Sequence, residues 1–322
     1  MSRWLWLLGI TGVAVMGCRR PEKPWQLPDT PEGRTLEANL GSEYDTVAFI
    51  SLELGEVTKR LRTSWDLALR PRGGRYEIRL NAAMYAFAVE VSEAVWQQPI
   101  QPAQLSGWRC DLVDTAALQP LHRGEVRFFV IDRDRGESFY RNPQKRYRKV
   151  AIRWEGPTLS ILSTALTGGD TARWRLPVDT AVRFIALDRS EESVSILPSW
   201  RADLILTRYI HPFYDQPEEF RWYPVLGALI GENVQAAVVR TSETPYEQMN
   251  FALAQRLSFS DKGDVIGYDW KRYDFSTGTY VIDLSRYFVL KVGELSFYKL
   301  RFIDFYDTQG RKGCVRIEYE PI

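Results

Sequence analysis

The clearest pattern of hydrophobic and polar positions lies near the end of the chain, in residues 297–320. Apolar side chains at positions 315, 317 and 319 alternate there with charged side chains at 316, 318 and 320. Alternation with a period of two is typical of a β-strand that buries one face. The preceding arm alternates around Leu300 and Phe302, and the polar sequence DTQGRKG separates the arms. This stretch therefore predicts a β-hairpin.

One register of this hairpin satisfies both of its faces. It places opposite charges across from each other on one face and apolar side chains across from each other on the other face. The predicted pairs are Arg301 with Glu318, Lys299 with Glu320, and Phe302 with Ile317.

Strand patterns dominate the chain from residue 39 onward, and turn residues separate them. The predicted strands upstream of the hairpin are Tyr44–Leu54, Tyr76–Leu80, Arg127–Asp132, Arg148–Trp154, Thr158–Ser163, Ala181–Leu187, Asp203–Tyr209, Val225–Ile230, Gln235–Val239, Val281–Asp283 and Tyr287–Lys291. Helical spacing occurs only in Asn81–Trp96, where a strand also fits, and in residues 246–258. We therefore expect an all-β fold of antiparallel, sandwich-like sheets.

Two pairs of similar segments predict an internal duplication. Residues 45–70 and 179–208 each contain Asp-Thr, an apolar strand, an acidic turn, Ser-Trp, and Asp-Leu-x-Leu. Residues 127–154 and 286–305 share an aromatic strand that leads into a second, alternating strand. The prediction is one β unit in residues 39–170 and a tandem copy of it in residues 171–322.

The first residues resemble a targeting segment rather than a part of the fold. Arg3 precedes an apolar run, WLWLLGITGVAVM, that is shorter than the ~20 residues of a membrane span. The run ends at Val15-Met16-Gly17-Cys18, which looks like a bacterial lipobox. We predict a lipoprotein signal peptide in residues 1–17, lipid attachment at Cys18, and a proline-rich tether in residues 18–38. An ordinary secretory signal is the alternative.

Composition excludes several classes of function. The formal net charge is +1, so the basic excess of a nucleic-acid-binding protein is missing. The chain has two histidines, His122 and His211, and three cysteines, so it offers no zinc cluster and no evident catalytic set. We predict that the protein is not an enzyme and has no metal site. Cys110 and Cys314 could form a disulfide or remain two thiols.

The high aromatic content, with 11 Trp, 16 Tyr and 15 Phe, has two interpretations. Aromatic side chains fill sandwich cores, as we expect for Trp65 and Trp200. Exposed aromatic side chains could instead bind a sugar, a peptide or a flat macrocycle. The segments Arg221–Tyr223 and Tyr268–Tyr273 are the candidates for such a surface.

Several of these motifs together resemble the HmuY-like lipoproteins of Bacteroidota. The similar motifs are YDTVAFISLELGEV, SWDLALR and RYEIRLN near the start, and YFVLK and YKLRFIDFYDTQGRKGCVRIEYE near the end. The founder of that family is a haemophore that holds iron between two histidines. The resemblance implies an all-β lipoprotein, anchored to the outer membrane, with haem or another ligand. We keep haem, a glycan and a protein as the candidate ligands.

The chain departs from the haemophore pattern at the iron ligands. The block that carries a histidine in the founder reads YDWKRYDFSTG here, and neither histidine of this chain matches a ligand position. We expect His122 and His211 to be exposed loop residues, and Tyr268 or Tyr273 to contribute if haem binds. The alternative functions are a structural, adhesion or glycan-binding surface lipoprotein without a haem site, and a glycan-acting enzyme with two carboxylates about 5–9 Å apart.

Overall fold

The computed structural model describes residues 33–135, 142–188 and 202–322. The all-β prediction is confirmed. In the described residues the strands are β1 Arg34–Asn39, β2 Thr46–Ser51, β3 Glu56–Leu61, β4 Leu67–Arg72, β5 Arg75–Leu80, β6 Phe87–Glu90, β7 Arg109–Cys110, β8 Val126–Asp132, β9 Tyr147–Glu155, β10 Thr158–Thr164, β11 Thr171–Pro177, β12 Arg183–Ile185, β13 Leu204–Pro212, β14 Trp222–Ile230, β15 Val234–Arg240, β16 Lys271–Asp274, β17 Thr279–Ile282, β18 Arg286–Val292, β19 Ser296–Tyr306 and β20 Lys312–Pro321.

These strands form four larger antiparallel sheets and one ribbon. Their strand orders are β1-β20-β19-β18-β15, β11-β10-β9-β8-β6-β7, β14-β13-β2-β3, β12-β4-β5 and, for the ribbon, β16-β17. The helices are short: α1 Glu93–Gln97, α2 Pro143–Arg146, α3 Glu218–Arg221 and α4 Phe251–Ala254. Within the described residues, no helix has both the length and the hydrophobicity needed to cross a membrane.

Two hydrophobic cores divide the sheets into two sandwiches. The first sandwich encloses buried side chains of residues 67–187 between the three-stranded and six-stranded sheets. The second encloses buried side chains of residues 38–52 and 204–319 between the four-stranded and five-stranded sheets. The sheets bury one face each because their strands alternate apolar and polar side chains.

The terminal hairpin confirms the predicted register. Strands β19 and β20 align all three predicted pairs, and the register shifts only beyond Phe302, at a bulge. The charged face is nevertheless covered, since Lys299 and Glu318 are only 5% and 4% exposed. The ring of Tyr246 lies over this face, 4.8 Å from Nζ of Lys299 and 4.2 Å from the guanidinium carbon of Arg301.

The two stretches with helical spacing contain only short helices. Residues 87–90 form strand β6, which pairs with β8, and the helix α1 begins only after Ser92. The oxygen of Ser92 accepts a hydrogen bond from the amide of Val95, as in an ordinary helix N-cap. Residues 246–258 contain one 3₁₀ turn and the single turn of α4. Tertiary pairing with β8 outweighs a weak local preference for helix.

The segments predicted to be repeats pair with each other. Strand β13 pairs with β2, and β12 pairs with β4. The amide of Asp66 donates to the carbonyl of Ile185 at 2.8 Å, and its Oδ2 accepts from the amide of Leu187 at 2.7 Å. Asp203 makes the same two bonds at the same distances, with the carbonyl of Ile50 and the amide of Leu52.

The second pair of similar segments also has matching registers. Lys149 of β9 lies opposite Val130 of β8, and Lys299 of β19 lies opposite Val289 of β18. Both lysines are buried, and Nζ of Lys149 lies 5.2 Å above the ring of Trp96, much as Lys299 lies against Tyr246. The tandem copies and their boundary at residues 170 and 171 stay predictions. The cores group the chain differently, because β1 and β2 pack into the second sandwich.

The predictions about the core tryptophans and the cysteines have different outcomes. Trp65 packs edge-to-face on Phe184 at 5.0 Å, whereas Trp200 and Cys18 lie outside the described residues. Cys110 in β7 and Cys314 in β20 belong to different sheets, and both are free thiols. Burial raises the pKa of each thiol to about 12.

Candidate ligand-binding cleft

A cleft of about 870 Å³ opens between the four-stranded and the three-stranded sheets. Its floor is apolar and comes from strands of both sheets. The floor residues are Val47, Phe49, Ala68, Val182, Phe184 and Ile205. The size and the apolar floor are those of a small-molecule site.

One wall of the cleft is the hairpin of β4 and β5, which presents arginines. Positions 70, 72, 75 and 79 are arginines, and Glu77 lies among them. The alternate residues of the same strands, such as Leu69 and Ile78, are buried in the first core. Strand alternation therefore places the charges in the cleft.

Carboxylates neutralise part of this arginine wall. Arg79 forms an ion pair with the buried Asp111 at 2.7 Å and donates to the carbonyls of residues 112 and 113. Arg70 pairs with Glu232 and lies 3.8 Å from Glu77. Arg72 lies 3.7 Å from Glu77 and is 63% exposed at the mouth. Arg75 has no carboxylate partner within the described residues.

The opposite wall is one face of β13. Ile205, Thr207 and Tyr209 line the cleft from alternate positions, and His211 and Phe213 continue the same alternation beyond it. Tyr209 is 2% exposed, and within the described residues its hydroxyl has no hydrogen-bond partner. Burial raises the pKa of Tyr209, so its hydroxyl stays protonated and can donate.

An aromatic cluster forms where this wall ends. The rings of His211 and Tyr268 lie 4.9 Å apart, edge to face, and Phe213 lies 4.9 Å from His211 and 6.0 Å from Tyr268. Tyr223 joins the cluster 6.4 Å from Phe213. Nδ1 of His211 is buried without a hydrogen bond and lies 4.0 Å from Oδ2 of Asp264.

A glycine in β14 positions Tyr268. A Cβ on Gly227 would lie 2.5 Å from the carbonyl oxygen of Gly267 and 2.8 Å from the ring of Tyr209. Only glycine lets the loop before Tyr268 approach the strand this closely. Two hydrogen bonds between Ala228 and Gly267 then hold the loop against β14. Tyr268 is thereby placed over His211.

The structure separates the two predicted tyrosine ligands. Tyr268 lies at the end of the cleft wall, whereas Tyr273 lies on the β16–β17 ribbon against Phe275 and Tyr280, each 5.1 Å away. The prediction of an exposed surface is wrong for Trp270, which is 1% exposed and stacks on Phe302 at 4.0 Å.

The two histidines have different outcomes. His122 is exposed in a turn, as predicted. The prediction for His211 is wrong, because it lies in β13 opposite Tyr223 and its side chain is 28% exposed. Its proximity to Tyr268 joins two segments more than fifty residues apart, so spacing along the chain gave no signal of it.

The geometry of this cluster offers a haem iron one axial ligand only. Within the described ranges, no three His, Cys, Asp or Glu side chains are grouped as a metal site requires. His211 and Tyr268 are in ring contact at 4.9 Å. A macrocycle between them would need a gap of about 3.5–4.0 Å on each of its faces. They can therefore supply one axial ligand and its neighbour, but not a pair on opposite faces.

Comparisons with known proteins were made by structure, by curated sequence and by family profile. Similar solved structures include apo PinO from Porphyromonas gingivitis, 10% identical, covering 91% of this chain and 98% of that chain with a TM-score of 0.26. The apo HmuY analog TFO from Tannerella forsythia is 12% identical, with 90% and 95% covered and a TM-score of 0.26. A comparison with curated protein sequences finds no match. The sequence profile described as HmuY protein matches residues 43–319. The chain therefore belongs to the HmuY family.

Proposed function

We propose that this chain is a non-enzymatic, ligand-binding lipoprotein of the bacterial envelope, and that its ligand is held along the cleft. One observation carries the proposal: a cleft of about 870 Å³ with an apolar floor, one wall of which runs into the contact between His211 and Tyr268. Membership of the HmuY family supports a ligand-binding role.

Haem is the candidate ligand, with Tyr268 as the axial residue. A bound haem supplies an iron that takes oxygen or nitrogen ligands on its axis. Burial and the carboxylates of Asp269 and Asp215 raise the pKa of Tyr268, so its phenol stays protonated without a partner. The imidazole of His211, in ring contact with Tyr268, would be the neighbouring base if the phenol oxygen held an iron.

A haem titration followed by visible absorbance tests this assignment. Wild-type protein should give a saturable Soret change with the spectrum of a tyrosine-ligated, high-spin iron. Tyr268→Phe removes only the ligating oxygen, so the spectrum should be lost or the affinity should fall about tenfold or more.

Tyr273→Phe is the matched control, since Tyr273 lies on the ribbon away from His211, and it should behave as wild type. A low-spin, bis-histidine spectrum that disappears in the His122→Ala/His211→Ala double variant would contradict the assignment. The same would follow from a saturable spectrum that is unchanged in Tyr268→Phe.

We infer further that the two predicted units are tandem copies. The matched hydrogen bonds of Asp66 and Asp203 and the matched registers of Lys149 and Lys299 support this. Strand β1, which begins in the predicted tether just before the first unit, pairs with β20 at the end of the second unit, and β11 at the start of the second unit pairs with β10 at the end of the first. In this interpretation the units exchange their first strands between the two sandwiches.

The lipid anchor is a proposal that rests on the sequence. Cys18 follows the apolar run directly, and the resemblance to HmuY-like lipoproteins supports an anchor in the outer membrane. Cys18→Ala should abolish incorporation of labelled palmitate and release the protein from the membrane fraction. Cys110→Ala is the control and should leave labelling unchanged. Palmitate incorporation by Cys18→Ala would refute the anchor.

A further inference from the structure

The floor of the cleft has similar residues on its two sides, whereas the two walls differ in charge. The matched hydrogen bonds of Asp66 and Asp203 identify the equivalent strands of the two sheets. Strand β2 is equivalent to β12, and β4 is equivalent to β13. The floor is then apolar on both sides of a pseudo-twofold axis. Its equivalent positions are Val47 and Val182, Phe49 and Phe184, and Ala68 and Ile205.

The walls do not have this symmetry, because arginines occur only on the β4–β5 side of the equivalent positions. The positions that hold Arg70 and Arg72 on β4 correspond to Thr207 and Tyr209 on β13. Arg79 on β5 likewise corresponds to a leucine on β14. At these equivalent positions one wall is cationic and the other is uncharged, above a floor that is apolar on both sides, although Arg208 of β13 and Lys262 also line the cleft.

The arginines of this wall with the fewest carboxylate contacts lie at the mouth of the cleft. Asp111 and Glu232 engage Arg79 and Arg70 deeper in the wall. Arg72 and Arg75 are directly opposite each other in the hairpin, and they have only Glu77, 3.7 Å from Arg72, as a described carboxylate neighbour. Arg75 has no carboxylate partner in the described residues and Arg72 shares Glu77 with Arg70, so both guanidinium groups have donors left for an anion.

The β13 wall supplies a second, independent observation. Tyr209 lines the cleft, and its hydroxyl is buried without a hydrogen-bond partner in the described residues. A buried hydroxyl without a partner is costly, so a structure that keeps one in a cavity is suited to a ligand that accepts its hydrogen bond.

We propose that the cleft binds an amphipathic organic anion. Its apolar body lies on the floor around Phe49 and Phe184, its carboxylate or equivalent group is held at the mouth by Arg72 and Arg75, and a polar atom farther along accepts a hydrogen bond from Tyr209. The inference deepens the proposed function, because it places the ligand in the same cleft, but it requires no iron and no axial ligand.

Two fluorescent probes that differ in one group test this proposal. Anilinonaphthalene sulfonate has the apolar body and the anionic group, and phenylnaphthylamine has the same body without the sulfonate. Both brighten in an apolar site. The wild-type chain should bind both probes, and should bind the sulfonate more tightly.

The double variant Arg72→Gln/Arg75→Gln should weaken binding of the sulfonate about tenfold, and it should change binding of the neutral probe less than about twofold. Both arginines are exposed, so the fold does not depend on them. Arg173→Gln/Arg175→Gln is the matched control, because these two exposed arginines lie on β11 outside the cleft. It should leave both affinities unchanged.

Tyr209→Phe keeps the ring and removes only the unpaired hydroxyl. It should keep the melting temperature and weaken binding of the sulfonate severalfold. The proposal is overturned if the wild-type chain binds neither probe, if the cleft double variant binds the sulfonate as wild type does, or if it weakens both probes equally. Loss of haem binding in Tyr268→Phe with intact sulfonate binding would separate the iron ligand from this anion site.

Discussion

At the scale of single residues, one buried lysine predicts a dependence of stability on pH. Lys271 is 8% exposed, and its Nζ donates to the carbonyl of Leu226 at 2.7 Å above the ring of Trp270. Burial lowers the pKa of Lys271 to about 7. Above this value the unfolded chain holds a proton that the folded chain has lost, so the free energy of unfolding should rise with pH.

Between pH values of about 7 and 9 this contribution should approach about 1.4 kcal/mol per pH unit. Below about 7 both states hold the proton and the contribution levels off. Lys271→Met removes the amine, so the difference in free energy of unfolding between wild type and variant should change with that slope. Denaturant titrations at several pH values measure it, and a constant difference would contradict the assignment.

The sequence identifies Tyr268 as a candidate site residue but does not predict the position of His211. The block containing Tyr268 was identified from the family resemblance, and the structure places that side chain at the end of the cleft wall. His211 was expected in a loop because a proline follows it. The pairing of β13 with β14 continues through Pro212 and keeps His211 in the strand, and this pairing depends on residues beyond its neighbours.

At the scale of elements, the terminal hairpin was predictable because both of its faces specify one register. Strand β20 buries Val315, Ile317 and Tyr319, each 1% exposed, in the second core. Burial of each such side chain contributes about 1.5–3 kcal/mol, and a whole domain is stable by about 5–15 kcal/mol. Deletion of residues 314–322 should therefore leave the protein insoluble or degraded.

Point substitutions in the same strand provide a graded form of this test. Ile317→Ala should lower the free energy of unfolding by about 2–5 kcal/mol, because the side chain is fully buried. Lys312→Ala at the exposed start of the strand should change it by about 0.5 kcal/mol or less. Equal melting temperatures for the truncated and full-length chains would refute the role of the strand.

Other elements could not be predicted, for physical reasons. Residues 87–89 carry apolar side chains that suit a helix or a strand, and only the pairing with β8 decides between them. The exchange of β1 and β2 into the second sandwich is equally invisible in the pattern. An alternating strand has the same sequence pattern whichever sheet it joins.

At the scale of the whole molecule, the internal similarity anticipated the matched strands but not the cleft between them. The apolar floor has equivalent residues from both sheets, and these positions carry the same pattern in both segments. The asymmetry of the walls depends on a few positions, such as Arg72 and its counterpart Tyr209. In the sequence these positions look like ordinary exposed strand residues.

The central claim is that a ligand is held along this cleft, with Tyr268 as the axial residue for haem. The most direct measurement is a crystal structure of the protein with haem bound. The account predicts iron bonded to the phenol oxygen of Tyr268, with His211 beside it and the macrocycle against the aromatic cluster. Iron held by His122, by two histidines, or by residues away from the cleft would contradict it.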